Sequence, residues 1–377
     1  MKRELRTDGL THRQSSILFL GLERRTVLNK PVVIVGGGIA GLTVSHALCE
    51  NGFPSVVVEK SNHVGGRVRD WACMATHRCL RCFCCAVEDL AHDVTTASSV
   101  DIILGSELSG VIRCGQSLEQ VRVKSVASGH EELLDASALV IATGFEPYNP
   151  KEKLLLGYGR FEGVFTLIDV DTFLREDKLF RFTSGIQEPL RVAFFQCVGS
   201  RDKTIGADYC SQYCCKGALR MALRLLENNS DWEITVFYID LQIAGKLAGW
   251  LLSEAKERGI RLVQGVPGEI VEVADNMLQV TREDNGSNIR EEFHRVILSI
   301  GQRPPSAASR IASLCGVHLD DFGFLAPTSF FDTSRTNVAG VYVAGTCSGP
   351  KDIENTITHA GQTAAAIITD LKNEPRV

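Results

Sequence analysis

From Lys30 onward the chain alternates short apolar runs, closed by glycine or proline, with longer stretches of helical period. Val32 to Val35 in PVVIVGGGIAG reads as a buried strand, followed by a glycine turn and the helix GLTVSHALCENG. SVVVEK predicts the next strand. DIILGSELSGVIRCG and QVRVKSVASG predict a small antiparallel excursion, and the strand ALVIATG at 138–144 closes the block. A low-period stretch with Pro147 and Pro150 follows. From about 188 to 300 the alternation resumes. The strand LRVAFFQC leads through cysteine-rich turns to the helix KGALRMALRLLENN, and the strand EITVFYI to the helix LAGWLLSEAKERG. IRLVQG and the pair EIVEVADNMLQVTRE and EFHRVILSIG complete this unit. A last strand, VAGVYVAG at 338–345, and a last helix, DIENTITHAGQTAAAIITDL at 352–371, end the pattern.

Strands alternating with helices predict an α/β protein with two doubly wound, nucleotide-binding-like domains and mostly parallel sheets. The expected divisions are an N-terminal extension at 1–30, a first part of an FAD-binding domain at 31–155 and a linker at 156–187. An inserted α/β domain at 188–300 and a return to the first domain at 301–377 follow. One nucleotide fold interrupted by another is similar to the thioredoxin-reductase-like flavoprotein arrangement.

Composition narrows the class. The 377 residues carry 40 basic and 45 acidic side chains, a formal charge of -5 and 44% apolar residues. That balance is ordinary for globular domains and leaves no basic stripe for nucleic acid. No stretch approaches 18 consecutive apolar residues, so no membrane span is expected. The start MKRELRTDGLTHRQSS has no apolar core of a signal peptide. Thirteen cysteines, an odd number and mostly in two clusters, fit a disulfide framework poorly. A cytoplasmic, reducing setting is expected, in which clustered cysteines suggest metal or redox chemistry.

Gly36, Gly38 and Gly41 form G-x-G-x-x-G between a strand and a helix, and Glu59 closes the second strand 18 residues past Gly41. The first glycine permits the turn, the second lets the backbone approach a pyrophosphate, and the third lets helix and strand pack closely. The helix N-terminus offers amides to the phosphates, and the carboxylate suits ribose hydroxyls. NAD and FAD share this fingerprint. Gly65-Gly66-Arg67, Ala142-Thr143-Gly144 and TNVAGVYVAGT at 336–346 resemble the FAD motifs of flavoproteins that bind two dinucleotides. That resemblance favours FAD. Thr346 stands where those proteins usually have aspartate after the glycine.

The second unit lacks the fingerprint. After RVAFFQ come Cys197-Val198-Gly199-Ser200-Arg201-Asp202, with one glycine. Asp240 ends the next strand as a ribose ligand would, but acidic strand ends are common in α/β sheets, and without the glycines no close phosphate approach is specified, so no efficient NADH or NADPH binding is expected. Cys197, Cys210, Cys214 and Cys215 stand there instead, as C-x12-C-x3-C-C. Four soft ligands suit iron–sulfur or zinc. Cys210 and Cys214 would share a helical face, but Cys215 would point about 100 degrees away, so convergence needs a distorted turn or a helix start. A neighbouring flavin favours a redox centre, because zinc moves no electrons.

QCVGSRD…YCSQYCC at 196–215, VFYIDLQIAGK at 236–246 and AGTCSGPKDIENTITHAGQTAAA at 344–366 closely resemble the A subunit of heterodisulfide reductase, and the resemblance runs from about 31 to 372. It implies FAD at Gly36, Gly38, Ile39, Ala40, Gly41, Glu59, Lys60, Gly66, Arg67, Val126, Ala142, Thr143, Gly144, Gly345, Thr346, Lys351, Asp352 and Ile353. It also implies one [4Fe–4S] cluster on Cys197, Cys210, Cys214 and Cys215. No residue is assigned as catalytic acid, base or nucleophile. The sequence holds none of the C-x2-C-x2-C-x3-C runs of the ferredoxin modules in the methanogen protein. It looks like the short form found in heterodisulfide-reductase-like complexes of cytoplasmic sulfur oxidation. That form is similar to a homodimeric flavoprotein working with the other subunits of its complex. The alternatives are a stand-alone pyridine-nucleotide disulfide oxidoreductase and a flavin-free scaffold with zinc on the four cysteines.

Cys73, Cys79, Cys82, Cys84 and Cys85 are expected to form a second cluster using Cys79-x2-Cys82, a partner contact, or a reactive thiol pair near the flavin. Lys351 and Asp352 precede the last helix, whose amides would point at the flavin edge or the pyrophosphate. Lys216 reads equally as a site residue or a surface charge. Arg220 stands where the family often has a lysine facing the flavin. The histidines, His359 among them, show no metal spacing.

Overall fold

The computed structural model describes residues 30–373 apart from 187, 188, 247, 275, 276 and 285. The expected extension at 1–30 lies outside the described residues except for Lys30.

Val32–Val35 is buried along its whole length, as is Ala138–Ile141, because strands covered on both faces need no polar alternation. These two are inner strands of a five-stranded parallel sheet in the order Val341–Val343, Ala138–Ile141, Val32–Val35, Ser55–Val58 and Val100–Ile103. Val32 and Ile34 point to a core shared with the helices Ile39–Glu50 and Ile353–Asn373. Val33 and Val35 point to the opposite core, closed by the antiparallel strands Ser106–Cys114, Ser117–Ser125 and Glu131–Asp135 and the helix Ala308–Cys315. The last strand and helix of the chain thus return to the first domain.

The second sheet repeats the pattern. Its parallel order is Arg261–Gln264, Glu233–Tyr238, Arg191–Val198, Arg295–Ile300 and Val164–Thr166. Val192 and Phe194 face the helix Cys214–Asn228, and Ala193 and Phe195 face the antiparallel strands Glu269–Glu272, Leu278–Asp284 and Ser287–Phe293.

Of the stretch 156–187, expected as a linker, the described residues 156–186 belong to this second domain. Val164–Thr166 adds an edge strand, and the helix Leu167–Arg175 starts on a capping box in which Thr166 and Asp169 satisfy each other's backbone amides. Three strand residues and a nine-residue helix carry too little period to be read from sequence. The chain crosses between domains twice, at Glu146–Pro147 and Gln302–Arg303, and the two crossings pair antiparallel. Among the described residues no helix is long and apolar enough to cross a membrane.

Candidate functional site

In each sheet the strand that opens the nucleotide-fold pattern, Val32–Val35 in the first and Arg191–Val198 in the second, lies between a neighbour reached in one direction and a neighbour reached in the other, which opens a crevice at the carboxyl ends. In the first sheet that crevice is built by Gly36 after Val32–Val35 and Ala142 after Ala138–Ile141. Gly36 has φ +112°, and a Cβ there would lie 2.3 Å from the Ala142 carbonyl oxygen. A Cβ on Gly41 would lie 1.9 Å from the Gly36 carbonyl oxygen, so helix and turn touch through bare backbone. Gly38 differs. It caps Ile39–Glu50 at φ -79°, with no side-chain cap, and a Cβ would meet only the Gly66 Cα at 3.8 Å. Space is left in front of the helix amides there, where a pyrophosphate would stand.

This crevice widens into a cavity of about 610 Å³, within the range of cofactor sites. One wall is Gly36, Gly38, Ile39, Ala40, Glu59, Gly66, Arg67, Ala142, Thr143 and Gly144, and Thr346, Lys351, Asp352 and Ile353 close one end. The second domain contributes Leu167, Asp171, Arg175, Tyr213, Gly217, Arg220, Met221 and Gln302, and the third wall is Trp71, Met74, Cys82 and Cys84. Four residues expected at the cofactor do not line this cavity. Gly41 and Gly345 serve packing: a Cβ on Gly345, at φ +75°, would lie 2.6 Å from the Ala40 Cβ. The side chain of Lys60 is 71% exposed and turned to Glu107 at 3.8 Å. Val126 is half exposed, its amide bonded to the Gly105 carbonyl. Both positions lie beside the small antiparallel sheet, Lys60 against Glu107 of Ser106–Cys114 and Val126 directly after Ser117–Ser125.

The polar groups of the cavity are mostly engaged. Glu59 accepts from the Gly37 amide at 2.7 Å and from the amide and hydroxyl of Ser61, each at 2.8 Å. Arg67 is paired with Glu146 at 2.8 Å and donates to the Phe145 carbonyl at 3.2 Å. The Asp352 carboxylate caps the last helix by accepting from the Asn355 amide at 2.9 Å and forms a buried ion pair with Lys216. Lys216 is therefore an interior residue. Lys351 donates to the Ser348 hydroxyl and the Gly349 carbonyl, and burial pushes its pKa down. Thr143 is the exception: its hydroxyl is buried without a hydrogen-bond partner. A buried hydroxyl in a cavity wall is costly unless a ligand completes it, so the cavity fits a polar cofactor. Burial raises the Asp171 pKa to about 7, against the Ala72 amide, which donates to it at 3.0 Å. The ring of His359 accepts from the Gly345 amide at 3.0 Å, behind the strand end that Thr346 presents.

The crevice of the second sheet is filled by sulfur. Cys197 leaves Arg191–Val198 at a register shift, Cys214 and Cys215 open the helix Cys214–Asn228, and Cys210 precedes it in a turn. The four cysteines surround one small void together with Arg201, Gln212 and Asp240. The helix start removes the geometric obstacle posed by Cys215. The backbone here is forced: Cys197, Arg201 and Gln212 have φ of 61°, 53° and 62°, conformations that side-chain-bearing residues adopt at a cost. Tyr213 donates to the Ile300 carbonyl, Tyr209 to the Gln302 carbonyl at 2.9 Å, and the Gln302 amide to Ser211 at 2.9 Å, which staples the turn to the end of Arg295–Ile300. Asp240 is taken by an ion pair with Arg201.

Burial pushes the Cys197 thiol up to about 11, with the Cys215 charge adding to it and Arg201 opposing it. Burial also holds Cys214 well above its ordinary value. Four sulfur donors around one void suit a metal centre, which would displace their protons on binding. No three of them bring their sulfurs within 4.8 Å of one another, whereas Cys73, Cys82 and Cys84 do. A single zinc ion, with bonds near 2.3 Å, needs sulfurs about 3.8 Å apart. The wider spacing fits a cluster of several metal ions, so the donor set suits iron–sulfur better than zinc. The Cys82 and Cys84 sulfurs share a hydrogen bond at 3.3 Å, and that bond pushes the Cys82 pKa down and that of Cys84 up.

Two doubly wound domains sharing one flavin-sized cavity define the class of thioredoxin-reductase-like FAD-binding flavoproteins. Residues 30–364 match the family described as pyridine nucleotide-disulphide oxidoreductase, and the chain belongs to that family of flavin oxidoreductases. Its curated relatives include the A subunits of heterodisulfide reductases. It is 32% identical over 274 residues to the A subunit of the H(2):CoB-CoM heterodisulfide,ferredoxin reductase of Methanothermobacter marburgensis, covering 70% of this chain and 41% of that one. It is 25% identical to the A subunit of the Ferredoxin:CoB-CoM heterodisulfide reductase of Methanosarcina acetivorans, over 98% of this chain and 61% of that one. The chain thus spans about half the length of these relatives. Among solved structures, thioredoxin reductase of T. acidophilum superposes with a TM-score of 0.58 at 18% identity, covering 91% of this chain and 98% of that one. That of Lactococcus lactis gives 0.57 at 17% identity, covering 90% and 98%.

Proposed function

We propose that the chain is the FAD and [4Fe–4S] electron-transfer subunit of a heterodisulfide-reductase-like complex acting in cytoplasmic sulfur oxidation, and that it works as a homodimer. FAD exchanges electrons in pairs or singly and an iron–sulfur cluster exchanges them singly, so the two together couple two-electron sulfur chemistry to one-electron carriers. Glu59 would hold the ribose hydroxyls, the helix N-terminus at Gly38 to Ala40 the pyrophosphate, and Thr143 would complete its buried hydroxyl on the flavin. Cys197, Cys210, Cys214 and Cys215 would hold the cluster.

One observation carries the reading: both sites are built on the same helix. Cys214 and Cys215 line the sulfur-ringed void, while Gly217, Arg220 and Met221 line the large cavity. Cys214 and Gly217 are less than one turn apart, and a turn is about 5.4 Å long. Sulfur oxidation and the homodimer rest on the resemblance of the motifs at 196–215 and 344–366. Phe330 and Phe331, fully exposed side by side, offer an apolar surface that suits a further subunit. NADH and NADPH have no evident place, since Arg201 occupies the Asp240 carboxylate that a ribose would need. Anaerobic purification with quantitation of FAD, iron and acid-labile sulfide tests the proposal: one FAD and four irons per chain are expected, and colourless protein would sink it.

A stand-alone disulfide oxidoreductase is the second reading, favoured by one observation: the Cys82 and Cys84 sulfurs lie 3.3 Å apart in the cavity wall. Rapid, saturable bleaching of the flavin by NADH would establish it in place of the first.

A further inference from the structure

We propose that Cys73, Cys82 and Cys84 form a second metal site, separate from the four-cysteine set, for a single soft divalent cation of the zinc type. Their sulfurs all lie within 4.8 Å of one another, a grouping that no other three His, Cys, Asp or Glu side chains among the described residues achieve. Tetrahedral thiolate zinc sets sulfurs about 3.8 Å apart. The Cys82–Cys84 separation of 3.3 Å opens to that value with a small side-chain rotation. Thiolate is the ligand that selects zinc over the hard cations.

The backbone supports the site from a second direction. Six described non-glycine residues have positive φ: three sit at the four-cysteine void, and Arg81 at 49° and Phe83 at 62° flank Cys82. The left-handed turn at Phe83 brings the sulfurs of Cys82 and Cys84 to one side. Such strain persists where the surroundings hold it, and the supports are visible. Arg220 donates to the carbonyls of Leu80 at 3.0 Å and Arg81 at 2.8 Å. Asp171 accepts from Ala72, beside Cys73, and Cys84 reaches the Ala72 carbonyl at 3.5 Å. The three ligands are thereby positioned before any ion arrives. Cys73 is exposed and gives the ion its route in from solvent, while Cys84 is buried.

The pairing differs from the C-x2-C motif of Cys79 and Cys82 that the sequence offers. The Cys79 sulfur is instead engaged by the Arg81 amide at 3.4 Å. Among the described residues no fourth ligand atom joins the three, so the fourth position is left to a group outside them, such as water or a small thiolate. Because Cys82 and Cys84 line the large cavity, the bound ion would also fix the wall formed by Trp71 to Cys84.

The test uses the full-length holoprotein, reduced and anaerobic, titrated with Zn²⁺ against the chromogenic chelator 4-(2-pyridylazo)resorcinol. Cys73→Ser, at an exposed position that does not threaten folding, is expected to bind one equivalent fewer than the wild type, and the control Cys114→Ser the same number. That difference reads this site whether or not iron fills the other four cysteines, so it stands apart from the cluster assignment. Zn²⁺ is also expected to slow alkylation of Cys73, Cys82 and Cys84 by iodoacetamide at least tenfold, as mapped by peptide mass spectrometry. Equal zinc in wild type and Cys73→Ser, or alkylation of Cys73 and Cys82 indifferent to zinc, overturns the proposal. So does a Cys82–Cys84 disulfide in protein isolated anaerobically.

Discussion

The imidazole of His359 is clamped between the amide of Gly345, which donates to Nδ1 at 3.0 Å, and the carbonyl of Thr333, 2.8 Å from Nε2. An amide can only donate and a carbonyl only accept, so the ring is neutral with its proton on Nε2. It thereby fixes the turn that follows Val341–Val343 and carries Thr346 into the large cavity.

Burial, reinforced by Lys351, lowers the His359 pKa below its ordinary 6.5. The unfolded chain takes up its proton near 6.5, before the folded one, so the folded state is at full strength above that pH and loses stability as the pH falls below it. Urea unfolding at pH 7.5 and 5.5 should show this loss in the wild type. His359→Phe should be weaker by about 2 kcal/mol at pH 7.5, from two buried groups left unpaired, and less sensitive to the same pH step.

Two of the fingerprint glycines should fail differently. Gly36→Ala combines a positive φ with a 2.3 Å contact to backbone and should cost about 3 kcal/mol or more, seen as a large loss of unfolding free energy. Gly38→Val meets no neighbour inside 3 Å and should fold, yet lose FAD, because its side chain takes the space in front of the helix amides. Equal flavin content in folded Gly38→Val would remove the pyrophosphate from that position.

Replacing Cys214 by Ser should remove most iron and acid-labile sulfide while FAD is retained, since the cavity is built mainly by the first domain. Cys85→Ser should leave iron unchanged. Iron surviving in the first variant and vanishing in the second would transfer the cluster to the N-terminal cysteines.

Dithionite should reduce the flavin, and NADH and NADPH should not do so at a useful rate. The carboxylate at the end of Glu233–Tyr238 is held by Arg201, with the longer of two contacts at 3.4 Å. Stopped-flow absorbance at the flavin band reads this directly; saturation at micromolar NADH would mean that the second domain keeps a nucleotide site.

The wall of the cavity nearest the glycine motif was legible because local chemistry enforces it: strand burial, turn and acidic residue come in fixed order between Val32 and Glu59. The opposite wall was not. Asp171, Tyr213 and Gln302 reach the cavity only through packing of the second domain on the first, and nothing in their own neighbourhoods announces it. Lys216 is the plainest case, since its partner Asp352 is 136 residues away and a lysine on a helix reads equally well as solvent-facing. The edge strand at Val164–Thr166 escaped for the opposite reason, being too short for any period. His359 carried no spacing signal, because its partners are backbone atoms.

The antiparallel pairing of Gln302 with Pro147 lies where the chain passes from one domain to the other. Two crossings side by side form a natural swivel, and two-domain molecules turn at such places unless something stops them. Here Gln302 is bonded both ways to Lys351, donating to its carbonyl and accepting from its amide, each at 3.0 Å. Tyr209 and Ser211 hold the same residue from the sulfur-lined turn, and the buried Lys216–Asp352 pair bolts helix to helix across the joint. These contacts brace the swivel. They hold the large cavity and the sulfur-lined void at one spacing, and under the proposed function a partner exchanging electrons with them would meet both in that arrangement.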